Sequence, residues 1–322
     1  MVQPRRTADA AGLLLGGLLD AAFGDPRRWH PVAGFGRFAG LVERHTYADD
    51  RIAGGRFVAV AVGVPVAGAM IAARLTRHRP LARTALVAAA TWAALGGTSL
   101  AREGRVMADR LARDDLPAAR EQLPNLCGRD PAALQAPELA RATVESIAEN
   151  TSDAVVAPLF WGAVAGLPGI VAYRAVNTLD AMVGHRSARY ARFGTASARL
   201  DDLANLAPSR LTGALTVAAA PVIGGRAGRA LRIWLRDGGR HPSPNSGQCE
   251  AAAAGALGVR LGGRNVYGER VEQRPQLGDG GPPGPADVRR AVTLSVTVGA
   301  AAVVLAALRR RGRQLGGRRG RR

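Results

Sequence analysis

The chain contains no lysine, and all 44 of its basic side chains are arginine. This excludes a Schiff-base lysine and a Walker A lysine, and leaves any phosphate chemistry to arginine, main-chain N–H groups or a metal ion. Aromatic residues make up only 4% of the chain, too few to build the stacking platforms of a single-strand nucleic-acid binder. Zinc-finger, homeodomain and basic-zipper patterns are also missing, so no nucleic-acid partner is expected. The two cysteines, Cys127 and Cys249, form neither a CxxC pair nor a disulfide framework. The five histidines make no HExxH or HxH spacing, which argues against a zinc hydrolase. Neither a GxSxG elbow nor a GxGxxG after a strand is present.

What is present is a chain of 322 residues with a formal charge of +19, 47% hydrophobic, and a mean hydropathy close to zero. That neutral average conceals two populations, because uncharged stretches alternate with arginine-rich ones. A bilayer core about 30 Å thick takes roughly 20 apolar helical residues. Stretches 57–73, 84–101, 154–173 and 291–308 meet that length, and each is closed by arginine or aspartate at its ends. Two weaker candidates are 10–24, which carries Asp20, and 211–225, which is short and contains Pro221; each suits a span or a re-entrant helix. Richness in Ala, Gly and Val lowers the hydropathy of all six but permits close helix packing. The expected fold is therefore all-α, a multi-pass helical integral membrane protein lying in the cell membrane. One membrane-embedded domain is expected over 1–308, with 309–322 as an Arg-rich tail lacking fixed structure.

Arginine in short loops orients such a chain. The turn 74–83 holds four arginines and no acid, and the tail from Arg309 reads RRRGRQLGGRRGRR; both are expected on the cytoplasmic side. If all six stretches spanned, however, the polar loops would be divided between two compartments. A single active site cannot be divided in this way, so at least one stretch is expected not to span.

The polar remainder falls into three blocks. Residues 102–153 and 174–210 carry helical patterns; in 226–290 a Pro-rich turn leads into an alanine helix, then LGGRNVYGER as a hairpin or a Gly-rich loop, and a connector GDGGPPGP. The segment ESIAENTSD places Glu145 and Glu149 one helical turn apart, with Asp153 following on the same stripe. Like charges so spaced destabilise a helix by a few tenths of a kcal/mol per pair. A facing Mg²⁺ or arginine reverses that sign. The competing reading is a solvated acidic face that ends at Asn-Thr-Ser, with Asp153 capping the next helix. In HPSPNSGQCE, Asn245 and Gln248 fit a capping box, and Ser243, Ser246 and Gly247 allow an anion to approach the helix start; an ordinary turn fits equally well. Asp25 and His30 in GDPRRWHP suit an acid–base pair or a turn cap. Asn177 and Asp180 share a helical face, followed by Asp201, Asp202 and Asn205, as suits a cation, a substrate amide or pairing with nearby arginines.

Five segments stand in a fixed order: GDPRRWHPV, ESIAENTSDAVVAPLFW, YRAVNTLDAMVGH, FGTASARLDDLANLAPSRL and HPSPNSGQCEAAAAGALGVRLGGRNVYGE. Together, over residues 10–308, they resemble the adenosylcobinamide-phosphate synthase family of cobalamin biosynthesis, the CobD/CbiB membrane proteins. The resemblance implies an ATP-dependent amide ligation that joins aminopropanol phosphate, or a related amino alcohol, to the free propionate carboxylate of the corrinoid adenosylcobyric acid. Under that reading Glu145, Glu149 and Asp153 are the catalytic candidates, with Glu149 and Asp153 as ligands for Mg²⁺. Ser243, Asn245, Ser246 and Gln248 are expected to bind phosphate or corrin side chains. Asp25, His30, Asn150, Asn177, Asp180, Asp202 and His241 belong to the same motifs and are expected to line the nucleotide and substrate site. A site facing the cytoplasm and contact with other late cobalamin-pathway enzymes go with this reading. The rival reading is a multi-pass carrier or corrinoid-binding scaffold, whose polar residues would follow a path through the bilayer instead of gathering in one cleft.

Overall fold

A computed structural model describes residues 3–25, 30–185, 187–267 and 270–312. Residues 26–29 of the first motif and 313–322 of the tail lie outside the described residues. Thirteen α-helices and one two-stranded hairpin make up the described residues, in agreement with the all-α expectation. The chain divides into two compact units, one of residues 1–96, 157–205 and 302–322, the other of 97–156 and 206–301.

The first unit begins with α1 (Gln3–Phe23), α2 (Pro31–Thr46), α3 (Arg51–Leu75) and α4 (Pro80–Ala94). Local chemistry starts α2 and α3. His30 Nδ1 accepts the Val32 N–H at 3.1 Å, and Asp50 Oδ2 accepts from Ile52 and Ala53 at 3.0 and 3.1 Å. Glycine lets α1 lie close on α4: a Cβ at Gly12 or Gly16 would meet Val87 or Thr91 well inside contact distance. Asp9 on α1 is 1% exposed and sits between two arginines, with Arg83 Nε at 2.6 Å and Arg310 Nη2 at 2.7 Å. A buried carboxylate flanked in this way gathers the starts of α1 and α4 and the end of the last helix at one place. Arg83, which closes the arginine-rich turn 74–83, and Arg310 near the end of the last helix therefore meet at one carboxylate.

The second unit opens with α5 (Gly97–Ala112), α6 (Leu116–Gln122) and α7 (Ala136–Thr151). Glu138 reaches back to the Gln135 N–H at 2.9 Å to start α7. The helix does not stop at Asn-Thr-Ser. It continues through a π-helical turn, Ser152–Val156, into α8 (Ala157–Ala165), which belongs to the first unit, so Asp153 lies within a widened turn of a continuing helix and not at the start of a new one. Gly166, at φ +69°, then breaks the chain direction before α9 (Leu167–Val183). The stretch 154–173, expected as one span, is thus two helices.

Next come α10 (Thr195–Ala219), a 3₁₀ turn Ala220–Ile223, α11 (Ala227–Asp237), α12 (Ser246–Leu257), the antiparallel strands β1 (Leu261–Tyr267) and β2 (Arg270–Leu277), and α13 (Pro285–Gly312). Stretch 211–225, expected as a short doubtful segment, is the second half of a 29-residue helical run, 195–223. Among the described residues, four helical runs are long and apolar enough to cross a membrane: Arg51–Leu75, Pro80–Ala112, Thr195–Ile223 and Pro285–Arg311. The run Pro80–Ala112 is divided between α4 and α5 at Leu95–Gly96. The stretch 10–24 falls in α1 and is not among the four. Residues 309–312, expected in the tail, extend α13 by a further turn.

Each unit has its own core. Phe57, Leu179, Val183 and Phe193 fill the first, and Met107, Leu123, Leu139, Ile147, Ile233 and Val288 belong to the second.

Candidate functional site

In the second unit, α7 supplies a row of acids, and α12 and the hairpin face it. Glu145 is 2% exposed. Its carboxylate is ion-paired with Arg129, lies 3.4 Å from Arg141 Nη1, and accepts the Gly262 N–H at 2.6 Å. Arg141 also donates to Gly262 O at 2.6 Å and to Asn265 Oδ1 at 2.9 Å. Gly262 adopts φ +82°, where a Cβ would strike the Pro275 carbonyl; glycine is what allows the strand to approach the acid. The like-charge stripe is therefore tolerated because arginines face it, one of the two ways its sign was expected to reverse.

Glu149, one turn further on, is half-buried and accepts a hydrogen bond from Ser246 Oγ at 2.6 Å. Asn150 turns back instead to its own helix, bonding Ser146 O at 2.9 Å. Asp153 is half-buried and acts electrostatically on Cys249 together with Glu149.

The HPSPNSGQ turn brings Ser243, Asn245, Ser246 and Gln248 together, but not as the expected capping box. Asn245 occupies the N-cap position without a side-chain cap bond, and its Oδ1 accepts from Ser209 Oγ at 3.1 Å. Gln248 Oε1 accepts from Trp234 Nε1 at 2.9 Å. Ser243 does the capping, its hydroxyl accepting the N–H groups of Asn245 and Ser246 at 3.3 and 3.2 Å. Asn245 is drawn away because Ser209 and Asn245 are both buried, and each needs a partner there.

His241 completes the turn. Its Nδ1 accepts the Ser243 N–H at 3.0 Å, and Nε2 lies 3.1 Å from Arg274 Nη1 and 3.9 Å from Glu250 Oε1. Burial, and then the Arg274 charge, push His241 below its usual range and favour the neutral ring. Glu250, fully enclosed, is held well above the usual carboxylate range by burial and by repulsion from Glu145 and Glu149. Cys249 is buried and its thiol is raised by desolvation, so it is not poised as a nucleophile; both cysteines are free. Asp237, at the end of α11, is bound by Arg236 and by the Gly278 N–H and is lowered to about 2.

The first unit holds a separate polar network. Asn177 Nδ2 donates to Asp201 Oδ1 at 3.4 Å, Asn205 Nδ2 to Asp201 Oδ2 at 3.0 Å, and Tyr173 to Asn205 Oδ1 at 2.9 Å. Asp180 and Asp202 stand close enough to Asp201 to act on its charge. Arg174 donates to Asn177 at 3.2 Å. Asp25 follows α1, and His30 is used as the cap of α2.

Sequence reasoning did not single out Arg129, Arg141, Glu250 or Arg274. Glu250 stood inside a quoted motif. The three arginines carried no distinguishing signal among 44 basic residues, since only the fold shows which of them face acids. Among the described residues no group of three or more His, Cys, Asp or Glu side chains is placed to hold a metal ion.

Helices long and apolar enough for a bilayer, beside a buried cluster of acids and arginines, define a helical membrane protein with a polar site. The family model described as CobD/Cbib protein matches residues 13–295. Relatives named "Cobalamin biosynthesis protein CobD" include one from Mycobacterium tuberculosis strain H37Rv, 56% identical over 300 residues, covering 93% of this chain and 95% of the relative. Another from Geobacter metallireducens is 48% identical over 279 residues, 85% of this chain and 87% of the relative. A third, from Rhodobacter capsulatus, is 43% identical over 284 residues, 86% and 89%. No solved structure matches. The chain belongs to the CobD/CbiB family and to cobalamin biosynthesis.

Proposed function

We propose that the chain is an amide-forming ligase that joins an amino alcohol, free or as its phosphate, to the free propionate carboxylate of adenosylcobyric acid. Family membership supports the pathway. The observation that carries the chemistry is the junction of α7 and α12, where half-buried Glu149 meets Ser246 at a helix start. A carboxylate is a poor electrophile, and ATP with Mg²⁺ would supply its activation and the neutralisation of phosphate charge. Glu149 and Asp153 are hard oxygen donors of the kind Mg²⁺ takes. Two carboxylates completed by phosphate oxygens and water are its usual setting. In this reading Ser243 and Ser246 receive an anionic group at the start of α12, and Arg274, held beside His241, supplies positive charge where no lysine exists.

Glu145, taken up by Arg129, Arg141 and Gly262, is assigned the positioning of the hairpin against α7, and the role of meeting substrate passes to Glu149. The network around Asp201 is assigned to substrate side chains. The chain is placed in the cell membrane, with the arginine-rich ends gathered at Asp9 on the cytoplasmic side and the nucleotide site open to the cytoplasm.

The test is to incubate purified protein in detergent with adenosylcobyric acid, ATP, Mg²⁺ and aminopropanol phosphate, and to look for cobinamide phosphate by mass. Product that depends on both ATP and Mg²⁺ is expected. Absence of product with every amino alcohol tried would leave the carrier reading in its place.

A further inference from the structure

The ligase reading leaves one buried side chain of the hairpin without a task. Asn265 on β1 is 2% exposed, and the two ends of its amide stand in different surroundings. Oδ1 accepts from Arg141 Nη1 at 2.9 Å. A guanidinium only donates, so this bond fixes which end of the amide is oxygen and turns Nδ2 the other way. Nδ2 is buried and has no hydrogen-bond partner among the described residues. Buried donors almost always have one, and leaving a donor without an acceptor destabilises the fold.

The neighbouring charges select the kind of acceptor. In the hairpin register Asn265 stands opposite Glu272, and Gly263 opposite Arg274, so Asn265, Glu272 and Arg274 share one face of the two strands. That face meets α7 through the Arg141 bond and the α12 turn through the contact of Arg274 with His241. Arg129, Arg141 and Arg274 gather there against two carboxylates, Glu145 and Glu272. Glu250, held well above the usual carboxylate range by burial, adds little negative charge. The balance is positive and favours an acceptor that brings negative charge of its own.

We propose that Asn265 Nδ2 donates to an oxygen of a bound phosphoryl group, so that this face of the hairpin forms a second phosphate subsite beside the one at the start of α12. Arg141, which holds Asn265, precedes Glu149 on α7 by about two turns, or about 12 Å at the helical rise, so the two subsites are separate. Nδ2 is covered in this structure, and the hairpin lifts for a ligand to reach it. Gly263 at φ +96° and Gly278 at φ +89° stand where its strands leave the body and supply the backbone freedom for that movement. The inference rests on the ligase reading, in which two ligands carry phosphate, ATP and the amino alcohol phosphate.

The test is isothermal titration of the full chain in detergent with the Mg²⁺ complex of a non-hydrolysable ATP analogue, with aminopropanol phosphate, and with aminopropanol. Asn265→Asp keeps the size of the side chain and the acceptor for Arg141 but removes the donor. It is expected to weaken binding of a phosphorylated ligand by roughly tenfold or more, the worth of a hydrogen bond to a charged group, and to leave aminopropanol unchanged. Whichever of the two phosphorylated ligands loses affinity is the source of the phosphoryl group. Asn265→Leu, similar in shape and uncharged, should weaken the same ligand, which separates a missing donor from simple repulsion. Without ligand, Asn265→Asp should unfold no earlier than wild type, because it removes an unpartnered donor and gives Arg141 a carboxylate. Both phosphorylated ligands bound as tightly by the two variants as by wild type, or a loss of affinity that comes with early unfolding of Asn265→Asp, would overturn the proposal and leave the ligase reading standing. Wild-type chain that binds neither phosphorylated ligand would overturn both.

Discussion

Ser246 Oγ donates to Glu149 Oε1 at 2.6 Å across 97 residues of sequence, tying the first residue of the alanine helix to the acid row of α7. This bond turns two separate motifs into one site, and it sets apart the acid that remains accessible from those that are sealed in.

Glu149→Gln keeps the size of the side chain and its hydrogen-bonding capacity but removes the charge. Turnover of adenosylcobyric acid is expected to fall by about 10² to 10³, the usual cost of losing one preorganised electrostatic contact, with the unfolding temperature nearly unchanged. Full turnover in a normally folded variant would show that Glu149 neither holds the metal nor meets the substrate.

Glu145→Ala should act on stability. It leaves Arg129 and Arg141 buried without their carboxylate, and breaking a buried pair in this way costs about 3–5 kcal/mol. A lowered midpoint of thermal unfolding in detergent, with the hairpin 261–277 cleaved faster by protease, is the expected result. A midpoint equal to wild type would show the pair to be dispensable.

Acid should weaken the second unit through Asp237. Its folded-state value of about 2 lies below the ordinary carboxylate value of about 3.9. The stability it contributes is therefore present above the ordinary value and is lost as pH falls through the folded one. Unfolding followed between pH 5 and pH 2 should show a loss that Asp237→Asn has already incurred at neutral pH. An unchanged acid limb in that variant would assign the loss to other groups.

Gly247→Ala places a Cβ against the His241 side chain and 2.6 Å from Gly238 O. Overpacking of this kind costs about 1–3 kcal/mol. Because the displaced residue is His241, turnover should fall along with stability. A variant as active and as stable as wild type would show that the turn has room to shift.

Much of the fold was legible in the sequence. Uncharged runs bounded by arginine marked α3, α4 and α13, because a hydrocarbon core selects for length and hydropathy residue by residue. LGGRNVYGER marked the hairpin through its glycines, and five ordered motifs marked the family. Stretch 154–173 misled, since hydropathy does not register a direction change at a single glycine such as Gly166. The second half of α10 misled in the opposite sense: Pro221 made 211–225 read as a short segment, whereas it falls in the 3₁₀ turn that closes a 29-residue helical run.

Sequence by itself determined the inventory: arginine without lysine, acids at helical spacing, a serine-rich helix start, and membrane-length helices. Only the tertiary structure decided which charges meet. Glu145 is neutralised by Arg129 and Arg141, Glu149 is left to Ser246, Ser243 caps α12 in place of Asn245, and Asp9 binds Arg83 and Arg310. Each of these pairings joins residues to partners chosen by distance and desolvation, and neither composition nor periodicity encodes which of 44 arginines will lie within hydrogen-bonding reach of a buried acid.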